Sequence, residues 1–391
     1  MAMTVRRQPS CLVRVMAVLG TRPEAIKLGP IVRELTRARN FDVTVVATGQ
    51  HADLVGQMLR VFRAKADYDL GVMTDSQTLS GLTERILNRL DPVLQAEKPD
   101  VVLVQGDTTT AFAAALGAFY RRIPVGHVEA GLRTDDRYSP FPEEINRRLV
   151  SQLSTWHFAP TESGRSALLR DGVENTSVFV TGNPVIDALH YVLTSCPWPA
   201  VLAPPAGRLI LVTGHRRESF GAPLERVCRA LRRVADEYED VDVWYPVHPN
   251  PQAAEPARRL LARHPRIKLL DPLDYVTFCH VMARAHVVVT DSGGVQEEAP
   301  SLGKPVLVTR EVTERPEGIA AGAAELVGTD EKLIVSRLRR LLDDMVAYEA
   351  MSRAVNPYGD GFAARRIVRC LRNCLGDTLR DTEPIETELS A

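Results

Sequence analysis

Short apolar, β-branched runs alternate with longer stretches of helical periodicity along most of the chain. Repeated alternation of this kind is typical of βαβ units and of a parallel sheet. The clearest predicted strands are residues 13–19, 43–48, 101–105, 124–128, 209–213, 241–247, 286–290 and 305–309. The pattern therefore predicts an α/β protein with two parallel sheets.

Proline-rich sequence separates the two predicted sheets. Asn183-Pro184 interrupts the alternation, and further prolines fall within residues 196–207, which favours a crossover and the opening of a new domain. We predict an N-terminal domain over residues 1–182, rejoined by a C-terminal helix at about 360–376, and a second domain over residues 183–359. The acidic tail, residues 377–391, lacks core residues and is predicted to be disordered.

Length and composition fit a soluble, two-domain protein. The chain has 391 residues, of which 45% are hydrophobic and 25% charged, with a formal net charge of -1. No broad basic face for nucleic acid is expected. Arg14 interrupts the short apolar run near the N-terminus, so we expect no signal peptide, no membrane segment and a cytoplasmic location. The scattered cysteines form no C-x-x-C pair, which argues against a metal site or a disulfide framework.

Polar side chains cluster directly after the predicted strands, where doubly wound folds bind their ligands. After the first strand, Arg22 and Lys27 flank the start of a helix, whose N-terminus attracts anions. The loop matches neither the G-x-G-x-x-G pattern nor a Walker A loop, so no NAD cofactor is expected. The alternative interpretation of these two charges is a solvated surface.

Three carboxylates in the first half, Asp107, Glu129 and Glu143, follow strands or open a helix. At one edge of a sheet they are candidates for proton transfer. Asp107 has a simpler alternative role as a helix N-cap. Glu143 and Glu144 each stand four residues before an arginine, and for Glu144 a surface ion pair with Arg148 is the favoured interpretation.

The second half carries further polar groups at strand ends. His215 and His248 each follow a predicted strand and could bind phosphate or transfer a proton, and a structural role for His248 stays an equal alternative. Residues 290–294, TDSGG, run from a strand into a helix and allow backbone N–H groups to approach a diphosphate. Glu298, just over one helical turn later, suits a ribose diol.

Long stretches of the chain, from Gly20 to about Gly361, resemble the non-hydrolysing UDP-N-acetylglucosamine (UDP-GlcNAc) 2-epimerases. The matching stretches are GTRPEAIK, GDTTT, HVEAGLRT, PFPEE, TGNPVIDAL, TGHRRESFG, TDSGGVQEEAPSLGKPVL, TERPE and NPYGDG. The resemblance implies a GT-B-like fold of two Rossmann-like domains with an interdomain cleft, a homodimer, and a UDP-sugar bound chiefly by the second domain. The implied reaction interconverts UDP-GlcNAc and UDP-N-acetylmannosamine (UDP-ManNAc), without metal or other cofactor, for glycan or secondary-metabolite biosynthesis.

The same resemblance implies roles for individual residues. The residues that it implicates in chemistry are Lys27, Asp107, Glu129, Glu143 and His215. Those that it implicates in substrate binding are Arg22, Arg133, His215, Ser292, Gly293, Gly294, Glu298 and Arg315, to which its position adds His248. Some members bind a second, activating UDP-GlcNAc partly through the stretch seen here as Gln50-His51. Asp53 stands where such members can have Gln, so this departure weakens the case for an activator site.

The chemistry of the implied substrate favours elimination. Carbon 2 of the sugar has no adjacent carbonyl, so direct deprotonation would be too costly. A carboxylate would instead remove the proton as UDP leaves carbon 1, giving 2-acetamidoglucal, and UDP would then add back with protonation of the other face. The alternatives that stay open are a hydrolysing epimerase, an epimerase of another UDP-2-acetamido sugar, a GT-B glycosyltransferase and a non-catalytic UDP-sugar sensor.

Overall fold

The computed structural model describes residues 12–50, 52–74, 77–200, 202–214 and 220–376. The tail predicted to be disordered, residues 377–391, and the candidate residues His51 and His215 lie outside this part of the chain. The chain divides into unit 1, Met1–Pro184 with Phe362–Ala391, and unit 2, Val185–Gly361. Each unit is built around its own parallel sheet.

The sheet of unit 1 has seven strands within the described residues. They are β1 (Val13–Leu19), β2 (Phe41–Ala47), β3 (Tyr68–Asp69), β4 (Val101–Gln105), β5 (Val125–Val128), β6 (Trp156–Ala159) and β7 (Val178–Val180). Their order is β3-β2-β1-β4-β5-β6-β7, with every neighbouring pair parallel. The ends of β1, β4 and β5 therefore lie side by side at one edge.

The sheet of unit 2 has six strands in the described part of the chain. They are β8 (Arg208–Thr213), β9 (Val241–Pro246), β10 (Ile267–Leu270), β11 (Ala285–Thr290), β12 (Val306–Val308) and β13 (Ala324–Leu326). Their order is β10-β9-β8-β11-β12-β13, and all pairs are parallel. The predicted α/β architecture with two parallel sheets is confirmed.

Helices connect successive strands in both units. They are α1 (Arg22–Arg37), α2 (Ala52–Val61), α3 (Leu79–Glu97), α4 (Thr109–Tyr120), α5 (Glu143–Leu153), α6 (Glu162–Arg170), α7 (Pro184–Ser195), α8 (Ala222–Glu237), α9 (Pro251–Leu261), α10 (Tyr275–Arg284), α11 (Gly293–Ser301), α12 (Pro316–Ala320), α13 (Glu331–Asp343), α14 (Met345–Ser352) and α15 (Ala363–Cys374). None of the helices in the described ranges combines the length and the apolar character needed to cross a bilayer.

Each unit has its own hydrophobic core. In unit 1, Met16 and Val104 of the sheet pack in one cluster with Ile86 of α3. In unit 2, Ile210 and Val243 of the sheet pack in a cluster with Leu231 of α8. Most residues of these central strands are apolar and buried because helices cover the sheet. Polar side chains are thereby concentrated in the loops after the strands.

Candidate active site

The loop between β1 and α1 is built around a buried carboxylate, Glu24. Its Oε2 accepts hydrogen bonds from the N–H groups of Gly20 at 3.0 Å and Thr21 at 2.7 Å. Its Oε1 accepts the Thr108 hydroxyl at 2.7 Å, which joins this loop to the one after β4. Burial raises the pKa of Glu24, and these hydrogen bonds oppose the shift. The sequence interpretation missed Glu24, although Thr21 and Glu24 have the spacing of a capping box.

Gly20 allows the first loop to approach α4 closely. A Cβ at this position would lie 2.3 Å from Thr110 Oγ1 and 2.5 Å from Thr48 Oγ1, so a larger residue does not fit. The Thr110 hydroxyl also donates to Gln50 Oε1 at 3.2 Å. Gln50 thus lies against the start of α4, whereas Asp53 is exposed in the first turn of α2.

Glu129, directly after β5, accepts hydrogen bonds from helix α1, from the end of β4 and from the segment between β7 and α7. Its Oε1 accepts hydrogen bonds from Lys27 Nζ at 2.5 Å and Asn183 Nδ2 at 2.9 Å. Its Oε2 accepts a hydrogen bond from Gln105 Nε2. Only 5% of the Glu129 side chain and 12% of the Lys27 side chain is exposed. The structure therefore brings together the predicted Lys27 and Glu129. It adds Asn183 and Gln105, which the sequence interpretation missed. Gln105 could have been noticed as the polar residue that ends an apolar strand.

The backbone of Glu129 adopts an unusual conformation. Its φ of 64° lies in the left-handed region, which costs a non-glycine residue roughly 1–2 kcal/mol. Strained backbone of this kind is concentrated at functional sites. The converging hydrogen bonds of the Glu129 side chain hold the residue in place despite this cost.

Asp107 does not cap α4, so the capping interpretation is wrong. The N-cap is Thr108, whose hydroxyl oxygen accepts the N–H of Ala111 at 3.0 Å. Asp107 Oδ2 accepts hydrogen bonds from Arg147 Nε at 3.0 Å and from Arg147 Nη2. Asn146 Nδ2 donates to the main-chain oxygen of Asp107 at 3.0 Å. Helix α5 therefore holds both the backbone and the side chain of Asp107.

Two adjacent glutamates at the start of α5 have different environments. Glu143 is half-buried, and its side chain makes no hydrogen bond or ion pair with the described residues. Glu144 is completely buried and accepts hydrogen bonds from Arg147 Nη1 at 3.0 Å and Arg148 Nε at 2.8 Å. The predicted pair of Glu144 with Arg148 exists, but its surface placement is wrong. Arg147 pairs with Asp107 and Glu144 and not with Glu143, four residues earlier.

The two predicted binding arginines of unit 1 also differ. Arg22, the first residue of α1, is exposed. The Arg133 side chain is 4% exposed, and its Nε donates to Asp171 Oδ2 at 2.8 Å. Arg133 Nη2 donates to Ser151 Oγ at 3.2 Å. These contacts give Arg133 a structural position against α5 and the end of α6, whereas Arg22 is open to a ligand.

In unit 2, the loop from β11 to α11 presents a helix N-terminus. Ser292 is the N-cap, and its N–H donates to Thr290 Oγ1 at 2.9 Å. The Thr290 hydroxyl lies 2.5 Å from that of Thr213, at the end of the neighbouring β8. Gly293 and Gly294 form the first turn of α11. The N–H groups of such a turn suit a phosphate.

Glu298 and Arg315 both lie close to this first turn. Glu298 Oε1 accepts the Tyr275 hydroxyl at 2.7 Å, and its Oε2 lies 3.8 Å from where a Cβ of Gly294 would be. Burial, aided by the charge of Glu298, raises the pKa of Tyr275. The Arg315 guanidinium carbon lies 3.7 Å from where a Cβ of Gly293 would be. The predicted Ser292, Gly293, Gly294, Glu298 and Arg315 are therefore neighbours.

Glu297, which the sequence interpretation missed, holds Arg315 in this position. Arg315 Nε donates to Glu297 Oε1, and the Glu297 side chain is 1% exposed. The Tyr358 hydroxyl donates to the main-chain oxygen of Arg315 at 3.0 Å. The only signal for Glu297 in the sequence is its place in the stretch VQEEA.

His248 follows β9 and lines a pocket of about 210 Å³. Its ring Nδ1 accepts the N–H of Asn250 at 3.1 Å. Asp271, after β10, and Arg258 of α9 line the same pocket. Strand β9 lies two positions from β11 in the sheet, which corresponds to roughly 10 Å between the two strands.

Among the described residues, no group of three or more His, Cys, Asp or Glu side chains is arranged to hold a metal ion.

The sequence model of the UDP-N-acetylglucosamine 2-epimerase family matches residues 33–372. The chain belongs to this epimerase family. A curated UDP-N-acetylglucosamine 2-epimerase of Yersinia pestis is 52% identical over 370 residues, which cover 92% of this chain and 98% of that protein. The predicted family resemblance is confirmed, and homology supports UDP-GlcNAc 2-epimerase activity.

Solved structures of epimerases share this fold. The Neisseria meningitidis UDP-GlcNAc 2-epimerase bound to UDP-GlcNAc has a TM-score of 0.85 and 44% identity, covering 92% of this chain and 100% of that chain. The Staphylococcus aureus MnaA–UDP co-structure has a TM-score of 0.86 and 45% identity, covering 96% and 100%. The glycotransferase of kitacinnamycin, at 16% identity and a TM-score of 0.63 over 92% of this chain and 99% of that chain, shares the fold alone. The predicted GT-B-like fold is confirmed.

Proposed function

We propose that this chain is a non-hydrolysing epimerase that interconverts UDP-GlcNAc and UDP-ManNAc. The observation that carries the proposal is a pair of carboxylates, Asp107 and Glu129, that follow the adjacent strands β4 and β5. Each is held by its own cation, Arg147 for Asp107 and Lys27 for Glu129. Two fixed carboxylates at one sheet edge suit a reaction that removes a proton and returns one.

The reaction we propose is an elimination followed by an addition. A carboxylate takes the proton from carbon 2, the electron pair forms the C1–C2 double bond, and the bond from carbon 1 to the UDP oxygen breaks. The intermediates are 2-acetamidoglucal and UDP. UDP then attacks carbon 1 again as a proton reaches the opposite face of carbon 2, so no atom is gained or lost. Asp107, Glu129 and Glu143 are the candidate proton-transfer groups, and we assign none of them to a particular face.

Unit 2 is proposed to bind the nucleotide. The diphosphate would bind at the N-terminus of α11, where Ser292, Gly293 and Gly294 begin the helix. Glu298 would accept hydrogen bonds from the ribose hydroxyls, with Arg315 beside the phosphates. The uracil base would occupy the pocket of about 210 Å³ that His248 lines. This pocket follows β9, roughly 10 Å across the sheet from β11, which leads into α11. The Neisseria meningitidis and Staphylococcus aureus proteins were solved with UDP-GlcNAc and with UDP, respectively.

Arg22 and His215 complete the proposed site. Positive charge on either group would stabilise the negative charge that grows on the departing UDP.

We also propose a homodimer that acts in the cytoplasm and supplies an activated amino sugar to glycan or secondary-metabolite biosynthesis. Sedimentation analysis of the purified chain tests the homodimer.

Incubation of the protein with UDP-GlcNAc in deuterium oxide, followed by NMR, tests the reaction. We expect UDP-ManNAc that carries deuterium at carbon 2, because solvent exchanges with the proton on the carboxylate. Free ManNAc with UDP would indicate the hydrolysing alternative. UDP-ManNAc without deuterium would contradict the elimination. Turnover with no acceptor present excludes a glycosyltransferase, and no turnover would favour a sensor.

The substitutions Asp107→Asn, Glu129→Gln and Glu143→Gln test the catalytic assignment. Loss of a positioned acid or base should lower kcat by roughly 100-fold to 10,000-fold, with UDP affinity little changed. A matched control is Glu97→Gln, because Glu97 ends α3 just before β4 and so lies at the opposite edge of the same sheet, bonded to Tyr68. Near-normal turnover in all three variants would show that the assignment is wrong.

A further inference from the structure

Glu144 is a buried carboxylate of α5 that uses both oxygens. Its Oε1 accepts Arg148 Nε at 2.8 Å, and its Oε2 accepts Arg147 Nη1 at 3.0 Å and the N–H of Thr134 at 3.1 Å. A buried charge of this kind is stable only because cations and a backbone donor surround it. Its position and that of Arg147 therefore depend on each other.

Arg147 is clamped between two carboxylates. Its side chain is 8% exposed, with Nη1 on Glu144 and both Nε and Nη2 on Asp107 Oδ2. A guanidinium is planar, so fixing one side by Glu144 fixes the direction of the donors on the other side. A lysine ammonium cannot span the two carboxylates with the same geometry.

Arg147 binds one carboxylate oxygen of Asp107, Oδ2, and does not bind the other, Oδ1. Oδ1 makes no hydrogen bond to any described residue, and 24% of the Asp107 side chain is exposed. Asn146, from the same helix, fixes the main-chain oxygen of Asp107 at 3.0 Å. With Oδ2 held and the backbone fixed, Oδ1 is the oxygen left to exchange a proton.

We propose that Glu144, acting through Arg147, positions Asp107 Oδ1 for proton transfer at carbon 2 of the sugar. The inference rests on the proposed function, because it takes Asp107 as a proton-transfer group. Glu144 itself is a positioning residue, since its oxygens are used within the protein. Its loss should therefore change kcat and leave KM and UDP affinity unchanged.

Two substitutions test the clamp. Arg147→Lys keeps the positive charge but loses the planar guanidinium that donates to both carboxylates. We expect kcat to fall roughly 100-fold, because a displacement of a catalytic group by about 1 Å has that cost. Glu144→Gln keeps the shape and loses the charge, and we expect a fall of about 10-fold. KM and the Kd for UDP should stay within about threefold, since the proposal gives both side chains contacts within the protein and none with substrate. A rise in KM with unchanged kcat would overturn the inference.

The double variant tests whether the two residues act through each other. If Glu144 acts only by orienting Arg147, the variant carrying both Glu144→Gln and Arg147→Lys should be no slower than Arg147→Lys alone. Independent, multiplying losses in kcat would contradict a single path from Glu144 to Asp107.

Arg148→Lys is the matched control. Arg148 binds the same Glu144, but its other partners are Asp135 and Asp171, and it does not contact Asp107. We expect its kcat within about threefold of the wild type, because its other ion pairs are partly exposed. A loss equal to that of Arg147→Lys would mean that general loosening of α5 is responsible, which overturns the inference. Thermal unfolding of each variant is measured to show that it folds. If Glu144→Gln does not fold, the comparison of Arg147→Lys with Arg148→Lys tests the inference.

Asp107→Asn in the same assay separates the two proposals. If Asp107→Asn turns over normally, Asp107 is not a proton-transfer group, and the catalytic assignment and the positioning inference fail together. If Asp107→Asn is slow while Glu144→Gln and Arg147→Lys keep wild-type kcat, the positioning inference alone is overturned. The expected result is slow turnover in all three variants with normal turnover in Arg148→Lys.

Discussion

His127 lies in β5, two residues before Glu129, and has no exposed surface. Its Nε2–H donates to the main-chain oxygen of Gly106 at 2.8 Å, while its Nδ1 has no partner in the described ranges. Burial, strengthened by repulsion from His157, lowers the pKa of His127 to about 3 from 6.5. The folded chain therefore keeps this imidazole neutral where the unfolded chain would bind a proton.

This difference makes stability depend on pH. Because the folded pKa is the lower one, the contribution of His127 is complete above pH 6.5 and is lost as the pH falls towards 3. Between about pH 7.5 and pH 5, the free energy of unfolding of the wild type should fall by about 2 kcal/mol more than that of His127→Gln. The glutamine amide can still donate to Gly106, so shape is largely kept. Urea denaturation at both pH values measures the difference, and equal pH dependence would contradict it.

Single residues show where sequence reasoning reaches its limit. Asp107 and Glu129 could be selected because they directly follow strands. The partner of Asp107, Arg147, lies 40 positions away in the chain, so only the folded structure shows the pairing. The spacing of Glu144 and Arg148 correctly indicated an ion pair. Burial of Glu144 depends on the packing of α5 and the loop at Thr134, which no local spacing records.

Tyr275, the first residue of α10, holds Glu298 of α11 through a hydrogen bond of 2.7 Å. Tyr275→Phe removes this donor from a buried carboxylate, and hydrogen bonds to charged groups contribute about 1.5–3 kcal/mol. If Glu298 binds the ribose, we expect the Kd for UDP to rise about 10-fold, with kcat at saturating substrate unchanged. Titration calorimetry with UDP measures the change.

Tyr348→Phe is the control for this variant. Tyr348 stacks on His286 elsewhere in unit 2, with ring centroids 4.2 Å apart, and has no contact with Glu298 among the described residues. Its UDP affinity should equal that of the wild type. An unchanged Kd in Tyr275→Phe, with the control normal, would count against the ribose role of Glu298.

The sequence predicted the central strands of both sheets and missed the strands towards their edges. The predictions at residues 13–19 and 101–105 match β1 and β4, whose residues are mostly apolar because helices cover the sheet. The missed strands lie towards the flanks of their sheets: β3, β6, β7, β10 and β13. They have only two to four residues each, which leaves little periodic pattern, although the equally short β5 and β12 were predicted.

Helix α15 belongs to unit 1, although it lies at the other end of the chain. It follows unit 2 in the chain but packs on α1 of unit 1. Arg366 Nη1 donates to the main-chain oxygen of Thr181 at 3.2 Å, just after β7. The sequence predicted a C-terminal helix that rejoins the N-terminal domain, but it could not show which surface this helix covers. Only the fold reveals that α1 is the partner.

Removal of α15 should therefore destabilise unit 1. Its buried face contains Ile367, Val368 and Leu371, and burial of each such side chain contributes about 1.5–3 kcal/mol. The sum is comparable to the whole stability of a typical domain, about 5–15 kcal/mol. A chain that ends at Asp360 should lose the thermal transition of unit 1 or melt at least about 10 °C lower.

The matched control ends at Gly376 and keeps α15 while it removes only residues 377–391. Calorimetry compares both chains with the full-length protein, and we expect the control to melt within about 2 °C of it, because no side chain of the described core is removed. Equal melting of the chain that ends at Asp360 would mean that α1 is stable without its cover. The apolar residues Ile31 and Leu35 of α1 are completely buried. If removal of α15 exposes apolar surface of α1, the shortened chain should associate, so light scattering gives a second measure of the same contact.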